Sequence, residues 1–397
     1  MAITQGAIGR YKDNVEVLPD NQRLKVAFDT KIDYLNMDKS ILFHLMSAIG
    51  KKSVDRMKFS WNTQERKADF VSTTAASWSA AANGTFTVST ANAPLFAVGD
   101  TLIFPDVDLS TMVYVSAVNL ATGVVTAQTV VGGNLTLTGG GGDEAFLVGN
   151  SFESGSGKGT IKSAQPTEVF NYVQIFQTPI GVTTTARNIA YESDPELEKQ
   201  RFEAGVDHAF KIEKSLFFGE RKRKNQGLMD GVYEQWFMGG LYDYIATNVT
   251  NASGALTQTE FSGWLIDSTQ YAKRPMVFAS ELVYEGLTTW AETKLQIISQ
   301  KESSLGMSIT KYQTAYGDTV MVKPHREMLV NSLNDLAFCV DLADVEYRFL
   351  KGLDTHIDTD LQANDEKLKI DEFRTWASMK VGNEKKHGYL YGVTSIA

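Results

Sequence analysis

The run Gly155-Ser156-Gly157-Lys158-Gly159-Thr160 sets a lysine among flexible backbone amides, the raw material of a phosphate-cradling loop. A P-loop also needs a glycine upstream of the Gly-Lys pair and a hydroxyl directly after the lysine, to wrap the phosphates and reach magnesium. Phe152 and Gly159 stand in those places and no helical pattern follows, so the run reads as a loop. His44, His208, His325, His356 and His387 are scattered, with no pair at helical spacing and no Glu placed for a zinc-protease motif. Cys339, the single cysteine, lies in the apolar run Leu336 to Val340 and reads as a buried, inert thiol. Asp354, Asp358, Asp360, Asp365 and Glu366 offer oxygens to calcium but lack the EF-hand spacing with its central glycine, and read as a solvated loop. Glu281 and Glu285 share a helix face, as paired carboxylates for hydrolysis would, yet nothing separates them from a solvated face. No Gly-x-Ser-x-Gly elbow occurs. The residues thus predict no catalytic centre, no cofactor site and no metal site.

The elements that would position these residues are those of a folded chain. Its 397 residues are 43% hydrophobic and 21% charged, ordinary for a globular protein with a sizeable core. A formal charge of −9 argues against tight, sequence-independent nucleic-acid binding, which draws on Lys and Arg neutralising phosphates. The first residues lack a signal-peptide pattern and no apolar run is long enough for a bilayer, so a soluble protein made and used without secretion is expected, with no membrane partner.

The spacing predicts one long helix from Ser193 to Lys224. Ser193 and Glu196 form a capping box, and Pro195 sits in the first turn. Phe202, Val206, Ala209, Phe210, Ile212, Leu216 and Phe217 make an apolar stripe. Arg221 to Lys224 read either as cations at the negative pole, paired with neighbouring acids, or as a face toward DNA, and Asn225 and Gly227 supply the stop. Such a rod would be on the order of 45 Å long.

Residues 1 to about 36 read as an extended arm without its own core. A short helix follows Asp38, with Ile41, Leu42, Leu45 and Ile49 on one side and Gly50 as its stop. From Lys58 to about Ile189 the texture is β: short runs at Thr85 to Val88, Thr101 to Phe104, Met112 to Val118, Val124 to Val130 and Phe146 to Val148 suit a small barrel or sandwich. Val169 to Val182 reads as one long strand. Beyond the long helix, helices at Thr259 to Tyr271 and Ser280 to Leu295 alternate with strands at Pro275 to Ala279, Thr319 to Val322 and Ala337 to Val340. The tail adds strands at Leu368 to Val381 and Tyr389 to Val393 around a turn at Gly382-Asn383-Glu384.

This order of elements resembles the major capsid proteins of tailed bacteriophages with the Hong Kong 97 fold. Thr314-Ala315-Tyr316-Gly317 leading to Val322-Lys323-Pro324-His325-Arg326, and the closing run Gly382 to Gly392, are similar to those of the SU10 subfamily. The resemblance implies an α+β, HK97-like capsid fold in named parts: an N-terminal arm (1–58), an extended loop (59–185) with an inserted β domain (79–150), and a peripheral domain with the spine helix (186–235). An axial domain (236–349) and the peripheral-domain strands with the C-terminus (350–397) complete it. It implies self-assembly into hexamers and pentamers of an icosahedral or prolate head around double-stranded DNA, in the virion, built in the bacterial host cytoplasm without enzymatic activity. The implied partners are further copies, a portal, a decoration or cement protein, and packaged DNA held weakly. Many relatives carry an N-terminal scaffolding segment that this chain lacks, which makes a separate scaffolding protein the expectation. Lys158, Glu196, Arg221 and Arg223 are the candidate subunit contacts, Lys158 because some members cross-link through a lysine in this loop. The rival readings are a hydrolase with a carbohydrate-binding β module, and a tail or decoration protein.

Overall fold

The structure is a computed structural model and describes residues 40–65, 67–163, 165–188, 196–224, 233–294, 310–314, 317, 319–325, 329 and 331–397. The predicted arm 1–36, Asp38, Ser193, Pro195, Asn225 and Gly227 lie outside them. The chain forms two compact units, one of the residues up to Ser60 with Phe170–Ala397, the other Trp61–Val169.

Helix α1 (Ile41–Ile49) is followed by strands β1 (Lys51–Val54) and β2 (Lys58–Thr63). The second unit contributes β3 (Phe70–Ser72), β4 (Ala75–Ser77), β5 (Asn83–Thr87), β6 (Asp100–Phe104), β7 (Asp108–Asn119), β8 (Val124–Thr129) and β9 (Glu144–Asn150). Strand β10 (Thr167–Tyr172) pairs with β2 in a two-stranded ribbon. Strand β11 (Gln174–Thr183), α2 (Thr184–Asn188) and the long helix α3 (Glu196–Phe218) come next.

The predicted single strand Val169 to Val182 is therefore two. It breaks at Val173, whose N–H turns to Met57 O at 2.8 Å, so the residues before it serve the ribbon and those after it serve a sheet. Helix α3 stops at Phe218 instead of running to Lys224. The Gly219 N–H closes on Ser215 O at 2.9 Å, and a Cβ at Gly219 would lie 2.4 Å from Met238 O, so the backbones meet too closely for any other residue. Arg221 to Lys224 consequently do not neutralise the helix end: β12 (Lys222–Lys224) pairs with β13 (Gln235–Phe237).

The remaining elements are α4 (Leu241–Tyr244), β14 (Val249–Leu256), α5 (Gln258–Thr269), β15 (Pro275–Ala279), α6 (Glu281–Lys294), β16 (Thr310–Gln313), β17 (Thr319–Pro324), β18 (Ala337–Asp341), β19 (Val345–Leu350), β20 (His356–Asp358), β21 (Leu368–Val381) and β22 (Gly388–Ile396). Thr257 starts α5 with a complete capping box to Glu260.

The first unit holds two sheets. One runs β1-β19-β21-β11 with β20 on β21, and its longest pairing joins Gln174↔Ala377 through Thr183↔Leu368. The other runs β14-β22-β18-β15-β17-β16. The last strand thus sits between β14 and β18, apart from the sheet that holds β21, while Val345 to Leu350 joins that first sheet. The hinge is the Gly382–His387 turn, where Asp344 takes the Asn383 N–H at 2.7 Å and redirects the chain. Phe217 of α3 packs its ring 5.4 Å from Phe278 and 5.3 Å from Phe338, in one core with Tyr347 and Met379. Burying a side chain of that size contributes roughly 2–3 kcal/mol. A second core, with Phe261, Trp264, Val277 and Cys339, lies under α5 and α6.

In the second unit the sheet order is β3-β9-β6-β7-β8-β5-β4. Between the two outermost strands, the Thr73 N–H goes to Asp143 O (2.9 Å) and the Thr74 N–H to Thr87 O (2.7 Å). One continuous stretch thus serves both edges, and the sheet closes into a barrel filled by Trp78, Phe86, Leu102, Phe104, Val113, Val115 and Val125. Of the barrel and the sandwich, the barrel forms, and it begins at Phe70, upstream of residue 79.

Candidate functional site

Helix α1 was expected to bury Ile41, Leu42, Leu45 and Ile49; it buries Leu42, Phe43 and Met46, and Ile49 is half exposed. The cause is Glu213. This carboxylate, fully buried on α3, receives the Leu42 N–H at 2.8 Å and the Phe43 N–H at 2.6 Å, and so caps α1 from across the core. His325 Nε2 bonds the same carboxylate at 3.0 Å. Sequence reasoning passed over Glu213, although its position between Ile212 and Leu216 on the apolar stripe was the signal. Asn171 was also missed. Its Nδ2 donates to Met379 O (2.7 Å) and Gly239 O (3.1 Å) while its Oδ1 accepts from Gly239 N (2.8 Å), tying β10 to β21 and to the turn before α4.

Arg221 and Arg223 are brought together on one edge of the β12–β13 ribbon. The Arg221 guanidinium donates to Phe170 O at 2.9 Å and lies 4.5 Å from the Phe170 ring and 5.1 Å from that of Tyr244. Lys58 Nζ stands 4.2 Å from the same Phe170 ring, so the ring sits between two cations. Arg223 stacks on Trp236 at 4.7 Å and pairs with Glu234 at 3.4 Å, and Trp236 meets Tyr172 edge to face at 5.1 Å. The basic cluster therefore works within the chain as a cation–aromatic ladder, and burial pushes the Tyr244 phenol upward.

Lys158 lies in the second unit, exposed, in a stretch without regular structure from Ser151 to Ser163. That stretch is tethered: Gly99, at φ +96°, would place a Cβ 2.5 Å from the Phe152 ring, and Lys162 Nζ bonds Asp100 and Leu95 O. Glu196 opens the described part of α3 and accepts from Gln200 Nε2 at 2.9 Å. The structure does not gather Lys158, Glu196 and the two arginines into one site.

His208 is buried between Thr178 Oγ1 (3.1 Å) and Thr375 Oγ1 (2.7 Å); burial, with Lys211 nearby, lowers its pKa to about 4. His387 accepts the Asp341 N–H at Nδ1 (3.1 Å), and burial lowers it to about 4 as well. Both are neutral packing residues near neutral pH. Burial pushes the Cys339 thiol up to about 12, as its apolar run implied. In the acidic stretch, Asp354 pairs with Lys51 (2.8 Å), Asp358 with Arg374 (3.0 Å) and Asp360 with Lys369 (3.1 Å). Among the described residues no cluster of His, Cys, Asp and Glu is arranged to hold a metal ion.

Comparison with known proteins gives the geometry its context. A family model described as SU10 major capsid protein matches residues 27–394. The major capsid protein of Pseudomonas phage PaMx41 is 24% identical over 234 residues, 54% of this chain and 53% of that protein, so the chain spans about half the length of the curated relative it matches. Solved structures are similar at low identity. That of Mycobacterium phage Adephagia covers 97% of this chain and 98% of its own at 10% identity and TM-score 0.46. The capsid of a native GTA particle covers 94% and 96% at 8% identity and TM-score 0.46. The described elements are of mixed α+β class, with a ribbon, a barrel, a long helix and two sheets. With its model matched across nearly the full length, the chain belongs to the SU10 major capsid protein family.

Proposed function

We propose that this chain is the major capsid protein of a tailed bacteriophage, assembling as hexamers and pentamers into an icosahedral or prolate head around double-stranded DNA. The match of the family model to residues 27–394 is the observation that carries this reading. The physics supports it. Trp61–Val169 forms a compact unit of its own, and such a unit, like the extended arm expected from the sequence of residues 1 to about 36, gains burial from neighbouring copies. At −9 the chain contacts packaged DNA weakly and without sequence preference, so the lining does not hold the genome.

In this reading the arm is 1–58, the extended loop 59–185, the peripheral domain the sheet around β21 with α3, and the axial domain the sheet around β15. Lys158 and Glu196 stand at subunit contacts, and Arg221 and Arg223 shape a third through the ladder they hold. A separate scaffolding protein, a portal and a decoration or cement protein complete the particle, which forms in the bacterial cytoplasm and ends as the virion. The chain catalyses no reaction, and no observation on the described residues favours a hydrolase over a shell subunit. Velocity sedimentation of the complete chain at rising concentration, with and without lysate of the producing cells, tests the proposal. Capsomer-sized or shell-sized species are expected; a single monomer boundary under all conditions would contradict it.

A further inference from the structure

On the outside of the barrel one row of side chains is apolar across five adjacent strands. Phe70 on β3 pairs with Phe146 on β9, their rings 4.4 Å apart, and Phe146 pairs with Ile103 on β6. Ile103 and Met112 each adjoin the paired residues Leu102 and Val113, where the β6–β7 register is broken by an irregularity, and Met112 O accepts the N–H of Val130, just past β8. Their sequence neighbours Val71, Ala145, Leu102, Val113 and Thr129 point inward and are buried, so this is the outer row. Phe70 is 53% exposed, Met112 41% and Val130 52%, with Leu109 at 69% and Val131 at 87% beside them. At about 4.8 Å per strand the row runs for roughly 19 Å. Outer barrel positions of a water-facing module are ordinarily polar, and a contiguous apolar strip of this length marks an interaction surface.

The charge around the row says what fits it. From Phe70 to Asn150 the sequence contains Asp100, Asp106, Asp108, Asp143 and Glu144 and no Lys, Arg or His. Asp100 and Asp143 are buried, which leaves Asp106, Asp108 and Glu144 accessible within this span; just before Phe70 stand Asp69 and Lys67, whose Nζ donates to Lys162 O at 2.9 Å. Glu144 is the next outward residue after Phe146 on β9, and Asp106 accepts its N–H at 3.2 Å. A complementary contact face carries Lys or Arg at its rim. We propose that the row Phe70–Phe146–Ile103–Met112–Val130 docks a separate protein whose contact face is apolar and rimmed by Lys or Arg. The apolar strip supplies the buried area, and the Asp106–Asp108–Glu144 fringe sets partner and orientation.

The test places a photo-reactive phenylalanine analogue at Met112 or at Val130 in the complete chain, with Thr122 as a control position, in particles assembled in the producing cells. Irradiated particles are digested and the adducts identified by mass spectrometry. The expected adducts join Met112 and Val130 positions, but not Thr122, to a different polypeptide at an apolar segment with Lys or Arg close by. Asp106→Lys with Glu144→Lys lowers their yield about tenfold, the size expected for reversing the sign of a complementary rim. Adducts to a second copy of this chain, no adducts, or a yield indifferent to the charge reversal would each overturn the inference. The sample rests on the shell reading: particles that fail to form contradict that reading, whereas particles that form and give the wrong adducts contradict this one.

Discussion

The carboxylate of Glu213 holds the backbone N–H of Phe43 at 2.6 Å with both residues buried, so a side chain of the long helix supplies the N-cap of a helix 170 residues earlier in sequence. Local capping chemistry is absent there: Ser40 makes no side-chain cap bond. The first described helix of the chain is therefore capped by one distant side chain while Leu42, Phe43 and Met46 pack it into the core.

Replacing that side chain exposes the fastening. Glu213→Gln keeps one acceptor but turns an amide donor toward a backbone N–H, and is expected to cost roughly 1–3 kcal/mol; Glu213→Ala strands both N–H groups and costs more. Denaturant unfolding of the complete chain reads the loss as a lower midpoint. A midpoint unchanged by Glu213→Ala would show that the cap carries no stability.

Acid should weaken the first unit through two of its buried histidines, His208 and His387. His208 and His387 have pKa values lowered from 6.5 to about 4 in the folded chain, so between these values the unfolded chain binds more protons. Stability therefore falls as pH drops from about 6.5 toward 4 and is insensitive to these groups above 6.5. Unfolding midpoints measured across this range for the parent chain and for His387→Gln should show a shallower slope in the variant; identical slopes would remove His387 from the account.

The Phe170 ring between Lys58 and Arg221 predicts coupling. A double-mutant cycle with Arg221→Met and Phe170→Leu should return an interaction of about 0.5–2 kcal/mol. Additive effects would mean that the Phe170 ring contributes nothing to holding Arg221.

Gly219 and Gly181 make a matched pair. A Cβ at Gly219 meets Met238 O at 2.4 Å and Ser215 O at 2.5 Å, so Gly219→Ala should cost about 2–4 kcal/mol by forcing backbones apart. Gly181 lies in β11 with open space around it, and Gly181→Ala should be neutral or slightly stabilising. Equal melting shifts in the two variants would contradict the close approach at Gly219.

Much of this architecture was legible in the sequence because its signals are local. Short β-prone runs broken by turns marked the barrel strands, Ser280 marked a helix start, and Ile212, Leu216 and Phe217 of the apolar stripe marked the buried face of α3. The end of α3 was not legible. Arg221 to Lys224 looks like a cationic helix terminus, and only the distant Met238 carbonyl, pressed against Gly219, shows why the chain must turn extended first. The face of α1 was misread for the same reason, since Glu213 rotates it from across the core. The route of the last strand into the β14–β18 gap likewise depends on Asp344 gripping a turn, a contact that no periodicity encodes. As for the candidate contacts, sequence reading named the arginines but not the aromatic rings around them, because Phe170, Tyr172, Trp236 and Tyr244 meet only in three dimensions.

The claim that this chain builds a shell is tested most directly by negative-stain electron microscopy of the complete protein, purified at rising concentration and also viewed in crude lysate of the producing cells. Closed shells, or rings of five and six subunits, are the predicted result; dispersed compact monomers in every sample, lysate included, would contradict it.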